Sequence, residues 1–92
     1  MKVYTTFRAL YDALWKHADE IHHIKVTKFH MAVSEHSGNV KSVHFIIKAD
    51  ITPNERYYSH NVAEFYVRVN TLMHAIDILD MLKVKFGDVM QL

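Results

Sequence analysis

The stretch Val40–Ile51 alternates apolar and polar side chains, and this period of two constrains the fold more than any other feature of the chain. Successive side chains of a β-strand point to opposite faces of the sheet. The odd positions are Val43, Phe45, Ile47, Ala49 and Ile51, while the even ones are Ser42, His44, Ile46, Lys48 and Asp50. One face of this strand belongs to a core, and the other is mostly polar.

A second strand, His23–Ser34, precedes it across Glu35-His36-Ser37-Gly38-Asn39. Phe29, Met31 and Val33 continue an odd apolar face, but Ile24 and Val26 lie on the even one. One extra residue near Thr27-Lys28, a β-bulge, reverses the facing and reconciles the two halves. Two hairpin registers keep the apolar sets together. Pairing Glu35 with Lys41 sets Lys28 against Lys48, an unfavourable like-charge pair. Pairing Glu35 with Asn39 leaves the loop His36-Ser37-Gly38, with glycine at the left-handed position, and sets His30 opposite His44. The second register is preferred.

Around the hairpin the pattern predicts two helices and one more strand. Thr5 or Thr6 can cap a helix over about 6–22, in which Phe7, Leu10, Tyr11, Leu14, Ala18 and Ile21 form an apolar stripe with Trp15 at the core edge. Thr52-Pro53-Asn54-Glu55 reads as a turn. Ala63, Phe65, Val67 and Val69 give a third strand over 62–69 the same odd apolar face, and the short connection makes it an antiparallel neighbour of the second. Asn70 or Thr71 caps a last helix over about 71–86, with Leu72, Ala75, Ile76, Leu79, Leu82 and Phe86 as its core stripe and Gly87 as terminator. Met73, Ile78, Met81 and Val84 exceed what one buried stripe needs. They imply either a deeply wedged helix or a contact surface for another chain, including a second copy. The tail Val89-Met90-Gln91-Leu92 either folds back over that surface or frays. The expected fold is a single α+β domain over residues 1–92: a two-layer α-β-β-β-α arrangement, with a three-stranded antiparallel sheet carrying both helices on one face.

The order of these elements is similar to that of double-stranded-RNA-binding domains, and to the ribosome-hibernation factors when Val3-Tyr4 adds a short first strand. In the RNA-binding family a lysine cluster at the start of the second helix grips phosphates. The corresponding positions here are Asn70, Thr71, Leu72, Met73 and His74, so the resemblance extends to topology and not to that grip.

Ninety-two residues, half of them hydrophobic, suit one domain with one core. No apolar run reaches the roughly 20 residues of a membrane span, the first residues lack the apolar core of a secretion signal, and a cytoplasmic protein is expected. The chain has no cysteine, which excludes disulfides and thiolate metal sites. A net charge of +1 is far from that of a dedicated nucleic-acid binder. Eight histidines are the compositional outlier, and protonating all of them takes the formal charge from +1 to +9.

The sheet face left uncovered by helices carries Lys28, His30, His44, Lys48, Tyr66 and Arg68, with Glu64 and Asp50 as acidic exceptions. Cations beside an aromatic ring suit a phosphate backbone or an acidic protein surface. Arg56, Tyr57, Tyr58 and His60 form a second candidate patch, of residue types enriched at binding hot spots. A histidine metal site would need His30, His44 and either His22 or His60 to converge, and no metal or other cofactor is expected. No glycine-rich phosphate loop or nucleophile–base spacing points to an enzyme. The expected function is a small non-enzymatic binding protein that occludes or bridges a host protein or nucleoprotein complex, such as a phage-type inhibitor aimed at defence or transcription machinery. The alternatives are an RNA-binding or ribosome-associated module using the same basic face, and a structural homodimer.

Overall fold

A computed structural model describes residues 2–17, 19–51 and 61–91. The chain is α+β, and the elements run β1 (Val3–Tyr4), α1 (Phe7–Trp15), β2 (Ile21–Val33), β3 (Val40–Ile51), β4 (Asn61–Val69), α2 (Leu72–Phe86) and β5 (Met90–Gln91). The three long strands are antiparallel in the order β4-β3-β2, as their alternation implies. The sheet is nevertheless five-stranded and mixed, because β1 adds parallel to β4 at one edge and β5 parallel to β2 at the other. Each added strand is two residues long, too short for periodicity to reveal. Met90–Gln91 therefore forms an edge strand beside β2, while Met73 and Val84 of α2 stay exposed; Ile24 donates its amide to the Val89 carbonyl at 2.8 Å.

The hairpin keeps the register inferred from facing. His30 pairs with His44 and Met31 with Val43, while on the other side of Lys28 the pairs are Val26 with Ile47 and Ile24 with Ala49. Between Thr27 and His30 β2 carries one residue more than β3, and Lys28 takes the left-handed conformation with φ of 53°. This is the expected bulge. The loop is one step different from expectation: the register shifts again between Ala32 and Val33, Val33 pairs with Val40, and Ser34 donates to Asn39 at 2.8 Å. Gly38, at φ 71°, fills the left-handed position.

Thr6 caps α1 by accepting the Ala9 amide at 3.3 Å, and Thr71 caps α2 by accepting that of His74 at 3.1 Å. The first helix ends at Trp15, shorter than its stripe suggests. Ile21, which the stripe assigns to the helix, instead gains a strand partner in Ile51 and is buried there. Trp15 is 60% exposed instead of closing the core edge, and stacks on Tyr11 at 5.6 Å between centroids. Gly87 ends α2 in right-handed conformation; a Cβ there would collide with the Lys83 carbonyl oxygen.

Both helices lie on the apolar sheet face and share one core, in which Leu10, Leu14, Phe45, Ile47, Ile78 and Leu82 are among the larger fully buried side chains. The buried stripe of α2 is Ala75, Ile78, Leu82 and Phe86. Ile78, which by spacing falls with the surplus contact surface, therefore belongs to the core. Its place outside is taken by Ile76, while Met73 and Val84 are 75% and 81% exposed and Met81 is half exposed. Both assignments satisfy spacings of three and four, and only packing decides which edge of a broad apolar helix faces in.

The molecule measures 55 × 24 × 20 Å. The 13 residues of β2 extend about 43 Å, and the 15 residues of α2 only about 22 Å. Toward the hairpin tip the cover thins on β2: Phe29, Met31 and Val33 are about half exposed, while Val43 and Phe45 beside them on β3 stay buried, so the distal part of β2 forms a half-covered arm.

Candidate binding cleft on the open sheet face

The uncovered sheet face is a set of cross-strand rows. His30, His44 and Arg68 form the row nearest the arm; Thr27, Ile46 and Tyr66 form the next, extended by Val3 of β1. Lys25, Lys48 and Glu64 follow, and then His23, Asp50 and Val62. Both carboxylates lie in the last two rows, so positive charge is concentrated toward the arm.

At that end the surface is concave. A cleft of about 300 Å³ is lined by Lys28, His44 and Arg68, with Tyr66, Ile46 and Val3 supplying apolar surface and Phe45 and Val67 adjoining. The bulge brings Lys28 into this lining: without the extra residue the chain on either side would face differently. Among the described residues neither Lys28 nor Arg68 forms a salt bridge, whereas Lys48 is held by Glu64 at 3.4 Å. Two cations thus stand at the mouth of one cleft. The His44 ring shares a 3.0 Å hydrogen bond with the hydroxyl of buried Ser42, which fixes its orientation along the strand.

Tyr66 is held by its hydroxyl, which donates to Glu64 at 2.8 Å. This bond pulls the Glu64 carboxyl below its ordinary value, opposed by partial desolvation and helped by Lys48 and Lys28. The same bond, with the negative charge behind it, raises the Tyr66 phenol. The tyrosine stays neutral and anchored, presenting its ring beside Arg68 and His44. In the same row, the Thr27 hydroxyl is buried and has no hydrogen-bond partner among the described residues.

Of the residues expected to bind a partner, Lys28, His44, Tyr66 and Arg68 converge on the cleft. His30 lies beside it, its ring 6.3 Å from that of His44, and Lys48 is one row away, in the salt bridge. Arg56, Tyr57, Tyr58 and His60 lie outside the described residues, as does the Thr52-Pro53-Asn54-Glu55 turn. Val3 and Ile46 complete the lining without carrying charge. Val3 has no sequence signal for this role, whereas Ile46 stands out as the one apolar residue on the otherwise polar face of β3. Among the described residues no three histidines or carboxylates lie close enough to hold a metal ion, and no helix is long and apolar enough to cross a membrane.

No protein-family model, no curated protein and no solved structure matches the chain. The chemistry of the cleft therefore carries the functional reading.

Proposed function

We propose that this chain is a small non-enzymatic binding module that occludes or bridges an acidic macromolecular partner through its open sheet face. The observation that supports this reading is the cleft itself: Lys28 and Arg68, outside any salt bridge among the described residues, flank an anchored tyrosine and an apolar floor. Cations at the rim supply orientation and rate of encounter, and the apolar floor supplies the desolvated contact on which affinity depends. A protein of this kind acts by covering a surface its partner needs, as an inhibitor of a host protein or nucleoprotein complex does.

The test compares wild type with Arg68→Glu. Arg68 is exposed on the open face, so the substitution leaves the melting temperature nearly unchanged while reversing charge at the cleft. Affinity capture from host lysate should retain a partner with wild type and lose it with the mutant. Equal retention by both proteins would remove the open face from consideration.

A second reading, binding of RNA, draws on the same tyrosine: a ring beside cations on an open sheet face can stack an unpaired base. It requires capture to vanish with nuclease and affinity to fall steeply with salt as counterions are released. Nuclease-resistant capture would reject it in favour of a protein partner.

A further inference from the structure

We infer that the chain pairs with a second copy of itself through the outer edge of β2 over residues 29–33, joining two sheets into one. β2 has β3 on one side, and on the other, among the described residues, β5 pairs at Ile24 and Lys25. Past the Lys28 bulge the outer edge has no strand neighbour among the described residues. Ser34 turns its amide and carbonyl toward the hairpin, bonding Asn39 and Gly38 at 2.8 and 2.9 Å. Strand alternation then turns those of Val33, Met31 and Phe29 outward. An unsatisfied edge of this kind is a template for another strand.

The side chains on the same three residues make the edge apolar. Phe29 and Met31 are 44% exposed and Val33 54%, all on the face that the helices cover elsewhere. Natural edge strands are usually blunted by charge, proline or brevity. Here the bulge ends the edge on one side and the turn on the other, and the residues between them are Phe29, His30, Met31, Ala32 and Val33.

The segment is its own complement. Two copies related by a twofold axis through Met31 pair Met31 with Met31 and Phe29 with Val33 on the apolar side. On the open side His30 meets Ala32, and Lys28 meets Ser34 with Glu35 of the second copy one position on. No like charges oppose one another directly, and on the side facing the helices apolar meets apolar. Antiparallel pairing of identical strands is isologous, so the assembly closes at two copies instead of propagating as a fibre. The axis stands normal to the sheet, so both basic clefts open on the same side of the continuous sheet. The interface is confined to this one strand edge and falls in the small, reversible class below about 1,200 Å². The dimer therefore forms as concentration rises.

Sedimentation across a concentration series should show wild type passing from monomer to dimer. Met31→Lys sets two like charges face to face at the axis and should raise the dissociation constant at least tenfold with an unchanged melting temperature. Met31→Cys supplies the sole cysteine of a chain that has none. Its Cα atoms would lie about 5.5 Å apart across the axis, within disulfide range, so mild oxidation should yield a covalent dimer. Val84→Cys, on the exposed face of α2, should stay monomeric under the same oxidation. A monomer at every concentration, a Met31→Lys dimer as tight as wild type, or faster cross-linking by Val84→Cys would each overturn the inference; the last would move the interface to the helix.

Discussion

The base and the arm of the β2–β3 hairpin carry the same kind of sequence and meet opposite fates. At the base, Ile24 is fully buried and Val26 packs against the core, both facing the helices across the pairs with Ala49 and Ile47. In the arm, Phe29, Met31 and Val33 stand on that same face with about half of their surface in water. Alternation tells which side a residue faces and nothing about whether a second layer reaches it. The reach ends sideways: Val43, paired with Met31, and Phe45, stacked on Phe29, are fully buried, so at this level the second layer covers β3 and stops short of the outer strand β2.

The largest expected difference is in stability. Ile24→Ala, at a fully buried site, should cost about 3 kcal/mol, since the cavity it leaves lies under both layers. Val33→Ala should cost less than about 0.5 kcal/mol. Urea denaturation at low concentration, where self-association is dissociated, measures both. Equal losses would mean that the arm is covered in the folded monomer, and the contrast between the two regions would be lost.

Much of this contrast is legible in the residues themselves. The reversal of facing between Val26 and Phe29 requires the bulge, and Gly38 in the turn sets His30 against His44. The rest is hidden for identifiable reasons. The strands β1 and β5 are two residues each, so they carry no period and exist only because long strands offer them an edge. Periodicity extends α1 too far because Ile21 suits a helix stripe and a strand equally well. The buried edge of α2 is ambiguous in sequence because Ile76 and Ile78 both lie next to the stripe. At the cleft, the cations are legible as residue types on the polar face. Their separation from the carboxylates depends on the register of β3 with β4, which sets Arg68 beside His44 and Glu64 beside Lys48.

The junction between base and arm offers a sharper test of smaller size. Lys28 holds a left-handed backbone that costs a side-chain-bearing residue about 1 kcal/mol or more. Lys28→Gly removes that cost and adds some unfolded-state entropy, so it should stabilise the fold by about 0.5 kcal/mol while weakening partner binding at the cleft. A gain in stability together with a loss in binding is the signature of strain kept for a site. Loss of both would show that the lysine side chain, and not its backbone, holds the junction. Gly38→Ala is the converse at the arm's tip. A Cβ there meets nothing within 4 Å, so the cost of about 1 kcal/mol expected from φ of 71° is purely conformational.

The smallest effect is electrostatic and belongs to the base alone. Glu64 titrates below its ordinary value, first because Tyr66 donates a hydrogen bond to it and then because Lys48 and Lys28 are near. A carboxyl depressed in the folded state stabilises the fold above its unfolded value, and the contribution disappears as pH falls through the lower folded value. The Tyr66 phenol is raised by the same bond, so its contribution is present below the ordinary tyrosine value and disappears as pH rises through the higher folded one. Tyr66→Phe removes the principal cause and leaves Lys48 in place, so the Glu64 titration should move upward only part of the way to its ordinary value. The carboxyl carbon of Glu64, followed by nuclear magnetic resonance from neutral to acidic pH, reads this directly. His30→Gln, one row beyond Tyr66 on the arm side, should leave the curve where it is. An upward shift in His30→Gln matching that of Tyr66→Phe would show that the charges of arm and base titrate as one group, and the division between the two regions would then be one of packing only.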